Sequence, residues 1–362
     1  MASERTKKKS LRVALIGSEH TVCEYSTFLK HLLVGLADES VPAALICPSG
    51  CNPDSLFAGA AEVISHPVLD LPLTEHLNNN LLVEQLGKFE PALLHCLCES
   101  RAPLVRKLAR RMNLPYVLTV NSLRGRWGQF SISYKRCAKI IVPAKTIADS
   151  VAKAQPGFAD RIEQINIGTF VSQTGGCFSM PSQLATMVMA HSLDNADHFE
   201  NVLNVLRHLQ IDGYEFMTVV AGSGRAERQI WKLLAALDLL QIVTMVPRLK
   251  PWRSVLAAGD IFIRPQPSLV FDPSLMEAMS VGAAVAGCRG GVDDLIMEDR
   301  TAVVFDPNDE LSILRSLRRL LDRREFARRI AKNARQYLAE NHTVSNMISA
   351  ILRIYRQACS LH

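Results

Sequence analysis

Residues 271–296, FDPSLMEAMSVGAAVAGCRGGVDDLI, carry the residue types that a phosphate and ribose site needs. A proline and a serine at its start are typical of the first turn and cap of a helix, and the first N–H groups of a helix favour an anion. The predicted diphosphate contacts are Pro273, Ser274, Leu275 and Met276. Glu277 follows about one turn later, where a carboxylate can accept hydrogen bonds from two ribose hydroxyls. Its alternative role is to complement the positive end of the helix dipole.

Two glycine turns stand at comparable places along the chain. In VVAGSGRAERQ, Gly222 and Gly224 separate a predicted strand from a predicted helix, so they allow tight turning and close approach of the backbone to a ligand. An ordinary strand-to-helix turn is the alternative, because Gly-x-Gly alone is weakly specific. Gly290 and Gly291 precede two aspartates, which predicts a second turn and another helix start.

Cations near these turns are candidates for neutralising a diphosphate. Arg225 follows the Gly222–Gly224 turn, and Arg264 ends the apolar strand before residue 271. Arg248 and Lys250 follow another apolar run. A solvated surface cation is the alternative for each of them. Arg225 and Arg264 complete the predicted phosphate-binding set.

The elements that must position these residues alternate between apolar strands and amphipathic helices. LRVALIG, PAALIC, ALLHCLC, PYVLTV and AKIIVPA are predicted strands in the first half, and LATMVMA, FMTVVAG, IVTMV and DIFIRP in the second. Such alternation predicts parallel sheets with helices on both faces. A Gly-, Ser- and Pro-bearing interruption over 168–182 predicts a boundary between an N-terminal domain at 1–172 and a C-terminal domain that begins at 183.

Composition narrows the class of protein. The chain has 362 residues, a formal net charge of +6, 48% hydrophobic residues and 21% charged residues, which is typical of a globular protein. The basic excess is modest for this length, and we expect no nucleic-acid partner. No long apolar segment follows the basic start, so we expect neither a signal peptide nor a transmembrane helix. Nine cysteines without zinc-finger spacing predict a reducing, cytoplasmic protein without a structural metal.

In order and spacing, these motifs resemble family 4 retaining glycosyltransferases, the group 1 class. The positions that match its C-terminal signature are Phe271, Glu277, Ala278, Met279, Ser280, Gly282, Val285, Ala286, Gly290, Gly291, Asp294 and Ile296. The resemblance implies the α/β GT-B fold, in which two Rossmann-like parallel-sheet domains face each other across a cleft. It also implies that the C-terminal domain spans 183–342 and that a final helix at 343–362 crosses back to the N-terminal domain. It also implies transfer of a sugar from a nucleotide-diphosphate sugar, such as a UDP- or GDP-sugar, to a glycan or lipid-linked acceptor. The transfer would retain configuration and need no metal or further cofactor.

Several positions depart from the family pattern. The first glutamate of Glu-x7-Glu falls at Leu269, and a leucine neither donates nor accepts a hydrogen bond. The family's phosphate-gripping arginine falls in Ala190-His191-Ser192, and its lysine falls at Asp197. His191 would bind phosphate only when protonated. The family's His-x-His keeps only its first histidine, His95.

His95 and the basic residues of the N-terminal half have competing interpretations. The resemblance places His95 and Glu277 in catalytic roles, with His95 near the sugar; a hydrogen-bonded core histidine is the alternative. The basic zone would dock on an anionic acceptor or on the inner face of a membrane; a solvated face is the alternative. The zone consists of Lys107, Arg110, Arg111, Arg124 and Arg126.

Three functions therefore stay open. The first is a retaining hexosyltransferase, and the second is a catalytically inactive binding or interaction protein on the same fold. The third, a sugar-nucleotide epimerase, needs acid and base residues for which no candidates stand out. The sugar, the nucleotide, the acceptor and the oligomeric state are not specified by the sequence.

Overall fold

The computed structural model describes residues 11–48, 59–66, 72–124, 131–180, 183–247 and 252–360, with the backbone alone at 72–77 and 252. The chain divides into two compact units. The first comprises Met1–Gly168 and Thr343–His362, and the second comprises Thr169–His342. The final helical segment thus belongs to the first unit.

A parallel sheet of seven strands forms the first unit, in the order β3-β2-β1-β4-β5-β6-β7. The strands are β1 Val13–Ile16, β2 Ala43–Pro48, β3 Glu62–His66, β4 Leu93–Cys96, β5 Tyr116–Thr119, β6 Cys137–Val142 and β7 Ile162–Gln164. The helices are Glu19–Glu24, Ser26–Asp38, Pro72–Phe89, Ala102–Met112, Lys145–Ala154 and Val344–Ser360, with 3₁₀ turns at Glu99–Arg101 and Pro156–Arg161. Every residue of β1, β2, β4 and β5 is buried, as expected of central parallel strands.

The second unit repeats this plan with six parallel strands in the order β10-β9-β8-β11-β12-β13. The strands are β8 Ala185–Ala190, β9 Phe216–Ala221, β10 Val243–Val246, β11 Ile261–Ile263, β12 Ala284–Gly287 and β13 Ala302–Val304. The helices are Asp197–Ile211, Glu227–Ala236, Trp252–Ala257, Pro273–Val281, Glu310–Asp322 and Arg324–Asn341. Central β8 and β11 lie side by side, with Ile263 paired to Met189.

Helix Val344–Ser360 is fixed to the first unit by close packing. A Cβ built on Gly35 would lie 2.5 Å from Cγ1 of Ile348, so a glycine is needed where helix Ser26–Asp38 meets it. A Cβ on Gly168 would lie 2.5 Å from Cα of Val344, where the chain leaves this unit and returns to it. At Gly168 the approaching atoms are backbone, whereas at Gly35 they belong to the Ile348 side chain.

Three local features differ from the sequence-based prediction. Strand β3 and helix Pro72–Phe89 were not predicted, since β3 is half exposed and the helix carries polar residues around its circumference. No helix follows Gly290–Gly291; instead Asp293 accepts a hydrogen bond from Gly290 N (3.1 Å) and closes a turn.

Among the described residues, no helix is both long and apolar enough to span a membrane.

The interruption over 168–182 also differs from a plain linker. Most of its described part is tied to the second unit. Cys177 N donates to Gly282 O (2.9 Å), and Arg335 Nη1 donates to Gly175 O (2.9 Å). Buried Asp260 accepts hydrogen bonds from the N–H groups of Phe178 and Thr186. These contacts bind the segment to the second sheet and its last helix.

Candidate functional site

Loops after β8, β9, β11 and β12 contain most of the predicted site residues. Because these four strands are parallel and share one sheet, their carboxyl ends lie along the same edge. His191, Gly222, Arg264 and Cys288 are the first residues after the four strands. In open parallel sheets this edge is where ligands bind.

The Gly222–Gly224 turn approaches the chain's own backbone closely. A Cβ on Gly222 would lie 2.1 Å from His191 O, and one on Gly224 would lie 2.3 Å from the carbonyl carbon of Leu193. Leu193 N donates to Ser223 O (3.2 Å), and Ala226 N donates to Leu193 O (2.8 Å). Gly222 N is also used, in a bond to Val246 O (3.1 Å). The glycines therefore allow two neighbouring loops to pack, which differs from the predicted close approach to a ligand.

Arg225 is exposed and directed at the neighbouring loop. Its Nε donates to the main-chain oxygen of Asp194 (3.3 Å). The Ser192 hydroxyl donates to the Asp194 carboxylate and is the main cause that lowers the pKa of that carboxyl. Arg225 thus contributes to the sheet edge as an exposed cation. Arg248 and Lys250, the other predicted cations, lie outside the described residues, as does Arg126 of the basic zone.

Helix Pro273–Val281 is capped by Asp272, and Ser274 is not its cap. The Asp272 Oδ1 atom accepts from Ser274 N (2.9 Å) and from Leu275 N (3.3 Å). Pro273 has no N–H, and Met276 N donates to Asp272 O (3.4 Å). This differs from the prediction that the amides of residues 274–276 are open to a diphosphate. The Asp-Pro-Ser sequence, an aspartate before a proline at the first helical position, is the signal that identifies the cap.

Glu277 lies in the interior of the second unit. The residue is 6% exposed, and its main-chain oxygen accepts from the Ser280 hydroxyl (2.7 Å). All the residues of helix Pro273–Val281 from Ser274 onward are buried. The structure therefore brings Glu277 to the second turn of a buried helix whose N-terminus faces the carboxyl edge of the sheet.

Arg264 is a buried cation at that edge. The residue is 2% exposed, and its Nη1 donates to Val292 O (3.1 Å). Its Nε and Nη2 have no hydrogen-bond partner among the described residues. A guanidinium buried in this way is costly unless an anion neutralises it. Among the predicted phosphate contacts, Arg264 has the arrangement that most favours an anionic ligand.

His191 stands beside Arg264 at the sheet edge. Met189, two residues before His191, pairs with Ile263, one residue before Arg264, on the adjacent strands β8 and β11. Its Nε2 lies 3.4 Å from Nδ1 of His198. Burial lowers the pKa of His191; Arg264 and His198 lower it further, while Asp272 and Asp194 act in the opposite direction. His191 is consequently a weaker cation than the arginine that the family resemblance implies at this place.

The loop that carries Leu269 is held by Gly291. A Cβ on Gly291 would lie 2.3 Å from Ser268 O, and Val292 N donates to the same oxygen (2.7 Å). The Leu269 side chain is 68% exposed. An apolar, solvated residue therefore lies where the family resemblance places its first glutamate.

His95 lies in the core of the first unit. The residue is fully buried, with Nδ1 2.5 Å from the Tyr355 hydroxyl and Nε2 2.8 Å from the Thr119 hydroxyl. Burial lowers its pKa to about 3, so the ring is neutral at pH 7. Because both ring nitrogens already have partners, this position corrects the predicted sugar contact. His95 is a hydrogen-bonded core histidine.

Glu99 is a polar residue at the corresponding edge of the first sheet that sequence reasoning missed. Its carboxylate accepts from the Ser122 hydroxyl and from Asn121 N (3.4 Å), and lies 2.9 Å from Nη2 of Arg124. These residues follow β4 and β5, which are adjacent strands. Arg124 of the predicted basic zone is thereby paired with a carboxylate. The available signal was a polar residue just after each of two consecutive apolar strands.

Comparison with known proteins finds a family model that matches most of the second unit. Residues 179–337 match the family model described as "Glycosyl transferases group 1". A stretch of 84 residues is 39% identical to "Sulfoquinovosyl transferase SQD2" of Arabidopsis thaliana, covering 22% of this chain and 16% of that protein. A stretch of 163 residues is 29% identical to "Uncharacterized glycosyltransferase YqgM" of Bacillus subtilis, covering 43% of this chain and 44% of that protein. The chain thus spans less than half the length of either relative.

Solved structures match nearly the whole chain. A glycosyltransferase from Rickettsia africae covers 97% of this chain and 99% of its own, with a TM-score of 0.78 and 14% identity. Sucrose-phosphate synthase from Thermosynechococcus elongatus covers 97% of this chain and 100% of its own, with a TM-score of 0.80 and 15% identity. Anabaena HepE in complex with UDP covers 95% of this chain and 98% of its own, with a TM-score of 0.77 and 13% identity. At such identities these likenesses concern the fold.

The predicted fold class, two parallel-sheet α/β domains of the GT-B type, is confirmed by these structures. The family 4 subtype and its retaining mechanism stay predictions. The resemblance to group 1 glycosyltransferases is confirmed, and residues 179–337 carry it.

Proposed function

We propose that this protein is a glycosyltransferase whose second unit binds a nucleotide-diphosphate sugar at the carboxyl edge of its sheet. The sugar passes to a glycan or lipid-linked acceptor with retention of configuration. The observation that carries the proposal is Arg264, a buried guanidinium with two nitrogens that lack partners among the described residues. Its place at the end of β11 is where an anionic ligand of a parallel sheet binds.

Transfer of the sugar from its nucleotide diphosphate requires that the departing diphosphate be stabilised. Cations and N–H groups do this, and removing one such donor commonly costs about 10²–10³ in rate. Arg264 supplies the buried charge, and Arg225 supplies an exposed one on the adjacent loop. Glu277 accepts the ribose hydroxyls. His95 has no part in this proposal, because its ring nitrogens are bound to Thr119 and Tyr355.

UDP is the first nucleotide to test. Anabaena HepE has been crystallised with UDP, with UDP and glucose, and with UDP-glucose. Staphylococcus aureus TarM has been crystallised with UDP and α-GlcNAc-glycerol. These ligands belong to those proteins, and they support a uridine nucleotide as the donor of this chain as well.

A second candidate function is favoured by two specific residues. Asp272 places a carboxylate at the N-terminus of helix Pro273–Val281, and exposed Leu269 replaces a glutamate of the family pattern. The first opposes an anionic ligand at this helix end, and the second removes a carboxylate of the family pattern. A non-catalytic protein that keeps a nucleotide or glycan site fits them.

One experiment separates the two functions. The full chain is titrated calorimetrically with UDP, GDP, ADP and their common sugar conjugates, and any donor that binds is then incubated with glycan and lipid-linked acceptors. Binding with transfer of the sugar supports the enzyme. Binding without consumption of the donor supports the non-catalytic protein. If no nucleotide binds, the enzyme and the nucleotide-binding form of the non-catalytic protein both fail.

A further inference from the structure

The N-terminus of helix Pro273–Val281 is occupied by a carboxylate of the chain itself. Asp272 has extended backbone angles, φ −101° and ψ 100°, and its Oδ1 accepts from both Ser274 N and Leu275 N. A phosphate bound at a helix N-terminus uses these same first amides and the same end of the dipole. Asp272 therefore stands where an anionic ligand of this helix would stand.

Arg264, at the end of β11, is a cation without an anionic partner among the described residues. Arg264 forms no salt bridge among the described residues, and two of its three guanidinium nitrogens have no hydrogen-bond partner there. Only 2% of the residue is exposed, so bulk water does not solvate the charge. This guanidinium is an observation independent of the helix, and it favours an anion at the same edge.

The N-terminus of this helix and the guanidinium of Arg264 belong to one electrostatic cluster. His191 interacts electrostatically with Asp272 and with Arg264, and its Nε2 lies 3.4 Å from Nδ1 of His198. Asp194 is the remaining charged group that acts on the same ring. We define the Asp272 cluster as Asp272, Arg264 and His191. It contains one permanent cation and one carboxylate, and no salt bridge joins the two among the described residues.

We infer that Asp272 determines the affinity of this site for a diphosphate, because its carboxylate competes with the ligand for the Ser274 and Leu275 amides and for the field of Arg264. The inference rests on the proposed function. A diphosphate has to displace the carboxylate or bind beside it, and like charges held close together repel each other. Removing the charge of Asp272 therefore raises affinity for a diphosphate.

Inorganic pyrophosphate is the probe, because it has the charge of the diphosphate and no nucleoside. Its affinity for the full chain is measured by calorimetry with the wild type and with Asp272→Asn. Asparagine still caps a helix, so this change removes the charge and keeps the fold. We expect Asp272→Asn to bind pyrophosphate at least about tenfold more tightly than the wild type.

Asp309 provides the matched control. It caps helix Glu310–Asp322 in the same unit, and its Oδ1 accepts from Leu311 N (2.9 Å). Asp309→Asn makes the same change of net charge at another capped helix, so we expect wild-type affinity. Arg264→Met in the Asp272→Asn background tests the cation, and we expect it to abolish the gain.

Three results would overturn the inference: no gain with Asp272→Asn, an equal gain with Asp309→Asn, or a gain that survives Arg264→Met. Its failure can be told apart from that of the proposed function. If Asp272→Asn raises the affinity for pyrophosphate but no nucleotide binds, the role of Asp272 is supported and the proposed nucleotide donor is excluded. If a nucleotide binds with the same affinity to the wild type and to Asp272→Asn, the proposed donor stands and the role of Asp272 is excluded.

Discussion

The Tyr355 hydroxyl lies 2.5 Å from Nδ1 of His95, joining the last helix of the chain to β4 across 260 positions of sequence. Both side chains are fully buried in the first unit. Tyr355→Phe would leave Nδ1 without this partner, and an unpaired buried polar group costs about 1–3 kcal/mol. We expect a loss of that size in the free energy of unfolding, measured by urea denaturation. Tyr134→Phe, at a residue 65% exposed, is the control and should stay within about 0.5 kcal/mol. Equal effects of the two changes would contradict the account of this contact.

Burial of His95 predicts how stability changes with pH. Its pKa is lowered to about 3, whereas a histidine in the unfolded chain titrates near 6.5. As pH falls below 6.5, the unfolded state takes up a proton that the folded state excludes until about pH 3. Stability is therefore lost as pH falls through this window, by up to about 1.4 kcal/mol per pH unit from this group. Burial also lowers the pKa of His191, which adds a loss of the same sign.

The measurement is the free energy of unfolding from urea denaturation at pH 7, 6 and 5, for the wild type and His95→Gln. Glutamine keeps a polar side chain and has no titrating group. We expect the variant to be less stable at pH 7 and to lose less stability on acidification. A pH dependence as steep as that of the wild type would show that His95 is not the group responsible.

Gly224→Ala tests the packing of the two loops. The new Cβ would lie 2.3 Å from the carbonyl carbon of Leu193, which is backbone and cannot turn aside. Overpacking of this kind costs about 1–3 kcal/mol, and we expect at least ~2 kcal/mol by urea denaturation. Gly157→Ala, where nothing lies within 4 Å of the added Cβ, should change stability little. A tolerated Gly224→Ala would contradict this account of the packing against the Leu193 loop.

Leu269→Glu places a carboxylate at an exposed position where the family resemblance implies one. Because 68% of the leucine is solvated, we expect stability to change by less than about 0.5 kcal/mol. If the wild type transfers sugar slowly for want of this group, kcat should rise by ~10-fold or more. The readout is consumption of the donor that binds. Leu311→Glu, at a leucine 64% exposed in the same unit, is the control for added charge. If kcat is unchanged in Leu269→Glu, the lack of a carboxylate at position 269 is not what slows the transfer.

Local pattern was enough to predict most strands, because central parallel strands such as β1 and β8 are continuous apolar runs. It did not predict β3, where only Ile64 of five residues is buried. The glycines at 222 and 224 could be predicted as special, but not the reason for them. Their partner, the loop at Leu193, lies about thirty positions away, and only the folded sheet brings it into contact.

The site was predicted residue by residue with uneven success. Arg264 was identified as a cation at a strand end, although its burial follows from the strands packed around it. The Asp272 cap was readable from Asp-Pro-Ser, yet the family pattern drew attention to Ser274 and the open amides. His95 could not be resolved from sequence, because its partners Thr119 and Tyr355 depend on tertiary contacts.

The central claim is that a nucleotide binds at the carboxyl edge of the second sheet through Arg264. Its most direct test is calorimetric titration of the full chain with UDP, GDP and ADP, comparing the wild type with Arg264→Met and Arg225→Met. The two arginines differ in burial, and thermal melting confirms that each variant is folded. We predict that one nucleotide binds the wild type, that Arg264→Met weakens it by at least ~tenfold, and that Arg225→Met changes it much less. Absence of binding by every nucleotide, or equal affinity of Arg264→Met and the wild type, would contradict the claim.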